Sequence, residues 1–172
     1  EPFDVRFRRI ADQAQELAVR LGKAPIHVQI EHGDIRIQDE VWSPFWSAFV
    51  HAVRNAIDHG IEPPAERQAL GKGTGTLRLR ADWTEHRLLV EFCDDGRGIA
   101  WEQVREKARA LGLASETRES LVAALFSDGF STKDTADENS GRGVGMSALA
   151  QACNAMGGTI EVESVPHVGT TW

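Results

Sequence analysis

His51, Asn55, Asp58 and His59 stand at spacings that a helix would gather on one side. At about 100° per residue, Trp46, Phe49, Val50, Val53 and Ile57 take the other side, so residues 46–59 have a packing face and a polar face. The Asn55 carboxamide offers a neutral oxygen to a hard cation, and Mg²⁺ commonly takes only one or two protein ligands while keeping waters and phosphate oxygens. His51, one turn earlier, can donate or accept a hydrogen bond near a terminal phosphate. The bland alternative is a solvated helix face, which is where a lone His or Asn usually lies.

Two further strings carry chemistry. Asp94-Asp95-Gly96-Arg97-Gly98 follows an apolar run at 88–93. Glycines at a strand end let the backbone approach a ligand, and the Asp94 carboxylate can accept a hydrogen bond from an adenine amino group. A tight turn explains the same residues. Ser140-Gly141-Arg142-Gly143-Val144-Gly145-Met146 leads directly into a helical pattern. Glycine-rich backbone at a helix start presents unpaired N–H groups and a positive dipole end to phosphate, although a flexible hinge would look alike.

Elements that position these strings can be read from periodicity. Residues 5–21 have helical apolar spacing that stops at Gly22. Alternation at Ile26, Val28 and Ile30, then at Ile35 and Ile37, with turn chemistry at 32–34, predicts a short hairpin. A helix over 41–59 requires Pro44 near its first turn and stops at Gly60. Residues 61–75 read as a loop around at most a short helical turn, before strands at 76–82 and 87–93. Helices at 102–111 and 119–126 follow. Residues 127–145, poor in large apolar side chains, are expected to form a long mobile loop. A last helix over 144–156 and a strand over 159–164 complete the pattern.

With 172 residues, 41% of them hydrophobic, the chain can bury the core of one globular domain. Its net charge of −7 opposes a general nucleic-acid or anionic-membrane surface, so an anionic ligand must be held locally. Cys93 and Cys153 lack metal or disulfide spacing and read as free thiols of a reducing cytoplasm. No apolar run approaches the roughly 20 residues of a membrane span, so direct membrane insertion is not expected. The first residues are no signal peptide, and the lack of an initiator Met suggests a fragment of a longer protein.

In order, HAVRNAIDHGIE (51–62), DDGRG (94–98), GFSTKD (129–134) and SGRGVGM (140–146) resemble the N box and the glycine and phenylalanine boxes of the GHKL ATPase superfamily. Their form is similar to that of CheA-type histidine kinases, and the resemblance covers about residues 42–172. It implies an α/β fold of two layers, with a mixed sheet covered on one face by helices, and a mobile ATP lid at about 127–145. Residues 1–22 would be a lead-in helix, the tail of a linker or dimerisation helix, and 23–172 the ATP-binding domain.

By the same resemblance the cofactors are ATP and Mg²⁺. Asn55 would hold Mg²⁺, His51 would sit by the γ-phosphate, and Asp94 would bind the adenine amino group, partly through water. Gly96, Gly98 and Ile99 would shape the adenine pocket, and Phe126 and Phe130 would anchor the lid. Ser131, Thr132, Lys133, Gly143, Val144, Gly145 and Met146 would line the triphosphate path. Asp58, His59, Arg142 and Thr170 match motif positions with less defined roles. For Lys133 and Arg142, solvated positions on the lid are the plainer alternative. Gly169-Thr170-Thr171-Trp172 resembles the family's last glycine motif, with the chain stopping as the following strand should begin, so the sheet is expected to lack an edge or to be completed by residues outside this chain.

The implied reaction moves the γ-phosphoryl group of ATP to a histidine on a separate phosphotransfer domain, for a downstream response regulator. A receptor or coupling protein would act through domains outside this chain. None of the six histidines, His27, His32, His51, His59, His86 and His167, has the setting of a phosphoacceptor helix, so the substrate histidine is expected elsewhere. Two rivals stand beside this reading. A conformational ATPase of the gyrase, Hsp90 or MutL type places a glutamate base where His51 stands. A nucleotide-binding scaffold without turnover would keep Asn55, Asp94 and the glycines. Before the N box, Trp42, Pro44, Phe45 and Trp46 are bulkier than that family's leucine-rich pattern, which suggests ordinary core aromatics or a face repacked against the first helix or a partner.

Overall fold

The computed structural model describes residues 2–130 and 146–172. In chain order these form α1 (Phe3–Arg20), β1 (Ile26–His32), α2 (Asp39–Asn55), a π-helical turn (Ala56–Gly60), α3 (Pro64–Ala69), β2 (Gly75–Thr84), β3 (Arg87–Asp94), α4 (Trp101–Ala110), α5 (Arg118–Leu125), α6 (Met146–Ala155), β4 (Glu163–Val165) and β5 (Gly169–Thr171). The fold is mixed α/β, with a five-stranded sheet in the order β1-β2-β3-β5-β4. β1 runs parallel to β2, and every other pairing is antiparallel.

Two compact units make up the chain: Glu1–Ser43, Val53–Ile99 and Val162–Trp172 in the first, Pro44–Ala52 and Ala100–Glu161 in the second. The first holds the sheet. Phe3, Phe7, Ile10, Ala14, Leu17 and Ala18 form the buried stripe of α1, at the spacing that made this helix legible. Along β2, Leu77, Leu79 and Ala81 are fully buried while Arg78 and Arg80 between them are half-buried, the period-2 signature of a sheet with one apolar face. Trp42 packs edge-on against Phe3 at 5.6 Å, so this unexpected aromatic is indeed repacked against the first helix.

In the second unit, Trp101, Val104 and Ala108 of α4 and Leu121 and Ala124 of α5 are buried. A reciprocal capping box between Thr117 and Ser120 starts α5. Arg118 lies over the Trp101 ring at 4.0 Å. Phe45, Trp46 and Phe49 form a ring cluster with centroids 5.2–5.7 Å apart.

Four expectations are corrected. The hairpin over 26–37 does not form: β1 pairs residue for residue with β2 from Ile26↔Gly75 to His32↔Ala81. Ile35, instead of folding back, accepts the Phe3 N–H at 3.1 Å and is buried, so the second alternating run anchors the start of α1. Pro44 lies inside α2, which begins at Asp39, rather than in its first turn. Both Pro44 and Glu40 are exposed, so water can satisfy the carbonyl that Pro44 leaves without a helical donor. Strand structure near 159–164 is confined to Glu163–Val165. Gly169–Thr171 is itself a strand, inserted between β3 and β4, and the Trp172 backbone continues it by pairing with Phe92 at 2.9 and 3.1 Å. No described helix is long and apolar enough to cross a membrane.

Candidate functional site

α2 carries its polar face to solvent, with His51 and Asn55 exposed one turn apart and Ala52, Val53, Ala56 and Ile57 buried. Among the described residues the Asn55 carboxamide makes no hydrogen bond, so its oxygen is free for a cation. Directly after Asn55 the helix widens into the π turn, closed by Ile61 N–H on the Ala56 carbonyl at 2.9 Å. Asp58 is half-buried and His59 exposed, with His59 Nε2 lying 3.2 Å from Asp58 Oδ2.

The π turn ends on Gly60, which meets the turn after β3. Arg97 N–H donates to the Gly60 carbonyl at 2.9 Å. A Cβ on Gly96 would stand 2.2 Å from that carbonyl oxygen and 2.8 Å from Asp94 Oδ1, so only glycine fits there. Gly98 is needed for a second reason: its φ of +73° disfavours any side chain, and its Cβ would meet the Val165 carbonyl at 2.5 Å.

Between these glycines Asp94 is 4% exposed. Its Oδ1 accepts the Gly96 N–H at 2.9 Å, while Oδ2 receives no hydrogen bond among the described residues. Burial pushes its pKa up to about 6, the Gly96 hydrogen bond opposes this, and the Asp95 and Glu62 charges add to it. A carboxylate on a buried residue, with one oxygen engaged by backbone and the other left for a further donor, fits the amino group of an adenine. Thr170 stands opposite Asp94 in the β3–β5 register, buried, with its Oγ1 3.0 Å from Ser164 Oγ. Ser164 Oγ also accepts the Ile99 N–H at 2.8 Å, which ties the half-buried Ile99 to β4.

A network of buried charges supports this turn. Glu62 is fully buried and pairs with Arg67 at 2.8 Å and Lys72 at 2.7 Å. Arg67, 4% exposed, also donates to Asp95 Oδ2 at 2.8 Å and to the Gly73 carbonyl at 2.7 Å. Lys72 donates to the carbonyls of Asp95 and Gly96 at 3.0 and 2.8 Å. Asp95 Oδ1 takes the Thr76 N–H at 2.9 Å. Sequence reasoning missed this network, although Glu62 lies within the quoted N box.

Of the remaining expected site residues, Phe126, Phe130 and Met146 belong to the second unit and are half-buried there. Phe126 caps α5, and Phe130 donates its N–H to the Ser127 carbonyl at 3.3 Å. Met146 opens α6. Ser131, Thr132, Lys133, Arg142, Gly143, Val144 and Gly145, and so nearly all of the expected lid, lie outside the described residues.

The family model of the histidine kinase-, DNA gyrase B- and HSP90-like ATPases matches residues 43–172, and the chain belongs to this family. Within it, the chain is an ATP-binding catalytic domain of the CheA-like kind. Chemotaxis protein CheA of Cereibacter sphaeroides is 37% identical over 177 residues, covering 100% of this chain and 25% of that protein. That of Rhizobium meliloti is 35% identical, covering 99% and 23%. The chain thus spans about a quarter of the length of these relatives. Among solved structures, the catalytic domain of histidine kinase ThkA superposes with a TM-score of 0.60 at 17% identity, covering 99% of this chain and 91% of that one, a likeness of fold.

Proposed function

We propose that this chain is the nucleotide-binding, phosphoryl-donating part of a protein-histidine kinase, which holds ATP with Mg²⁺ and passes the γ-phosphoryl group to a histidine on a separate phosphotransfer domain. The observation that carries the reading is Asp94: a buried carboxylate at a strand end, one oxygen engaged by Gly96 and the other without a described partner. In this role Asp94 accepts the adenine amino hydrogen, Gly96, Gly98, Ile99 and Thr170 form the surrounding wall, and Asn55 offers its oxygen to the cation. His51 is assigned a place by the γ-phosphate, and Asp58 and His59 are assigned to the nucleotide site without a defined role. Bound Mg²⁺ supplies positive charge that offsets charge building up on the phosphoryl oxygens.

In the transfer, the bond from the γ-phosphorus to the bridging oxygen breaks, leaving ADP, and a bond to an imidazole nitrogen forms. A neutral imidazole is already nucleophilic, so no strong base is needed from this chain. Phe126, Phe130 and Met146 flank the proposed lid, whose Ser131, Thr132, Lys133, Arg142, Gly143, Val144 and Gly145 would close over the triphosphate. We assign residues 1–22 to a lead-in helix and 23–172 to the catalytic domain. A response regulator is the expected downstream partner, and the cytoplasm, where Mg-ATP and free thiols coexist, the expected compartment. The hydrolase alternative is disfavoured because the position one turn before Asn55 is His51 rather than a glutamate.

Calorimetric titration with ADP, with and without Mg²⁺, tests the site. Asn55→Ala is expected to abolish the gain in affinity that Mg²⁺ confers, while metal-free ADP binds within about twofold of the parent. A variant that keeps the full Mg²⁺ effect removes Asn55 from the site. Incubating the chain with Mg-ATP and the cognate phosphotransfer domain should yield phosphohistidine on that domain. Saturated nucleotide binding without any phosphohistidine would instead identify a scaffold.

A further inference from the structure

Lys23 is a buried lysine that the reading above does not use, 9% exposed and placed between α1 and β1. Its backbone and its side chain close two different helices. The backbone N–H donates to the Ala18 carbonyl at 2.8 Å, just after Gly22 turns the chain at a φ of +68°, and so ends α1. The side-chain Nζ donates to the Ile57 carbonyl at 2.9 Å and to the Asp58 carbonyl, both in the π turn that follows Asn55.

Carbonyls at a helix end have no donors further along the helix, and the dipole there is negative. Ile61 leaves the π turn in extended conformation, so the turn stops at this point. A lysine ammonium suits such an end in charge and in number of donors. Burial lowers the Lys23 pKa, the Asp58 charge opposes that, and the Arg97 charge adds to the lowering. A lysine kept at such a place must be held by what it contacts, because lysines are almost never fully buried unless paired. Its contacts hold the short segment that carries Asn55 and Asp58 on one side and places Gly60 against Arg97 on the other.

We propose that Lys23 is a positioning residue: by fixing the π turn to the end of α1, it sets the placement of Asn55 and Asp58 and hence the affinity for Mg-nucleotide. The second half of this proposal rests on the nucleotide reading above. A lysine that only filled space would matter to global stability and to nothing local.

The test combines amide hydrogen exchange with nucleotide titration on Lys23→Met, which keeps the stem and removes the donors. Exchange at the Ile61 amide, the bond that closes the π turn, should accelerate at least tenfold relative to exchange at Leu79 in the core of β2. Mg-ADP affinity, measured where the variant is fully folded, should fall about tenfold. Equal acceleration at both amides, or an unchanged affinity, overturns the proposal. Should Lys23→Met not fold, Lys23→Gln is read by the same two measurements, and failure of both to fold makes Lys23 a folding residue and overturns it as well. A parent chain that does not bind Mg-ADP overturns the nucleotide reading and, with it, the affinity half, while the exchange result still decides whether Lys23 holds the turn.

Discussion

Asp94→Asn should abolish Mg-ADP binding and, in the same molecule, raise the stability of the nucleotide-free chain at neutral pH. The two effects share one cause. Asp94 is buried with a single described hydrogen bond, from Gly96, so its charged form is held at a cost that a ligand's donor can offset. In the unfolded chain the carboxyl loses its proton near 3.8, whereas in the fold it keeps it to about 6. Between those values the folded chain binds more protons than the unfolded one, so the free energy of unfolding falls as pH rises through that window. Above it the penalty is complete, and a displacement of roughly two pH units corresponds to about 3 kcal/mol.

Asparagine keeps an oxygen for the Gly96 N–H and removes the charge. Urea unfolding at pH 7.5 should therefore show Asp94→Asn about 1–3 kcal/mol more stable than the parent, less than the full penalty because its amide N–H groups also need partners. Near pH 3, below both values, the advantage should all but vanish, because the parent carboxyl is then mostly protonated in both states. Mg-ADP affinity should drop at least a hundredfold, since the amide presents a donor to the adenine amino donor. In the parent, the same titration predicts affinity that rises as pH increases through about 6. A variant that binds Mg-ADP within threefold of the parent, or that is less stable at both pH values, removes Asp94 from its assigned place.

What could be read in advance divides along physical lines. α1, β2, β3 and the apolar face of α2 announce themselves because burial imposes a period of 3.6 or 2 on residues close in sequence. Asp94 and its glycines were legible because a carboxylate before Gly-x-Gly at a strand end is a local pattern. Partners set by the fold were not. The parallel pairing of β1 with β2 joins residues almost 50 positions apart, and nothing in Ile35 or Ile37 distinguishes a hairpin strand from an anchor for Phe3. Lys23, Arg67 and Lys72 look like ordinary surface cations, since a sequence does not show which cation meets a buried carboxylate or an open helix end. The π turn was hidden for the same reason: its signal is one hydrogen bond displaced by a residue.

Those hidden partners carry the other large expected effect. Removing the charge of Glu62 by Glu62→Gln leaves Arg67 with the partly exposed Asp95 as its other described carboxylate, and Lys72 with the carbonyls of Asp95 and Gly96. Breaking a buried pair from one side commonly costs 3–5 kcal/mol, so a loss of about 3 kcal/mol is expected in urea unfolding at pH 7.5. Burial alone pushes the Glu62 carboxyl up, but the hydrogen bond and charge of Lys72, the backbone N–H and the charge of Arg67 outweigh it and hold the pKa below 4.5. The folded chain therefore binds this proton less readily than the unfolded one, so the contribution of Glu62 is present above about pH 4.5 and is lost as pH falls further. That slope is opposite in sign to the slope of Asp94. The apolar double replacement Glu62→Leu with Arg67→Met separates fold from site. It should recover much of the stability, because two buried charges leave together. Nucleotide affinity should stay at least tenfold below the parent, because Asp95 Oδ2 and the Gly73 carbonyl still lack the donor that fixes the turn bearing Asp94. Parent-like affinity in the double variant would show that the network supports the fold alone and leaves the placement of Asp94 to its glycines.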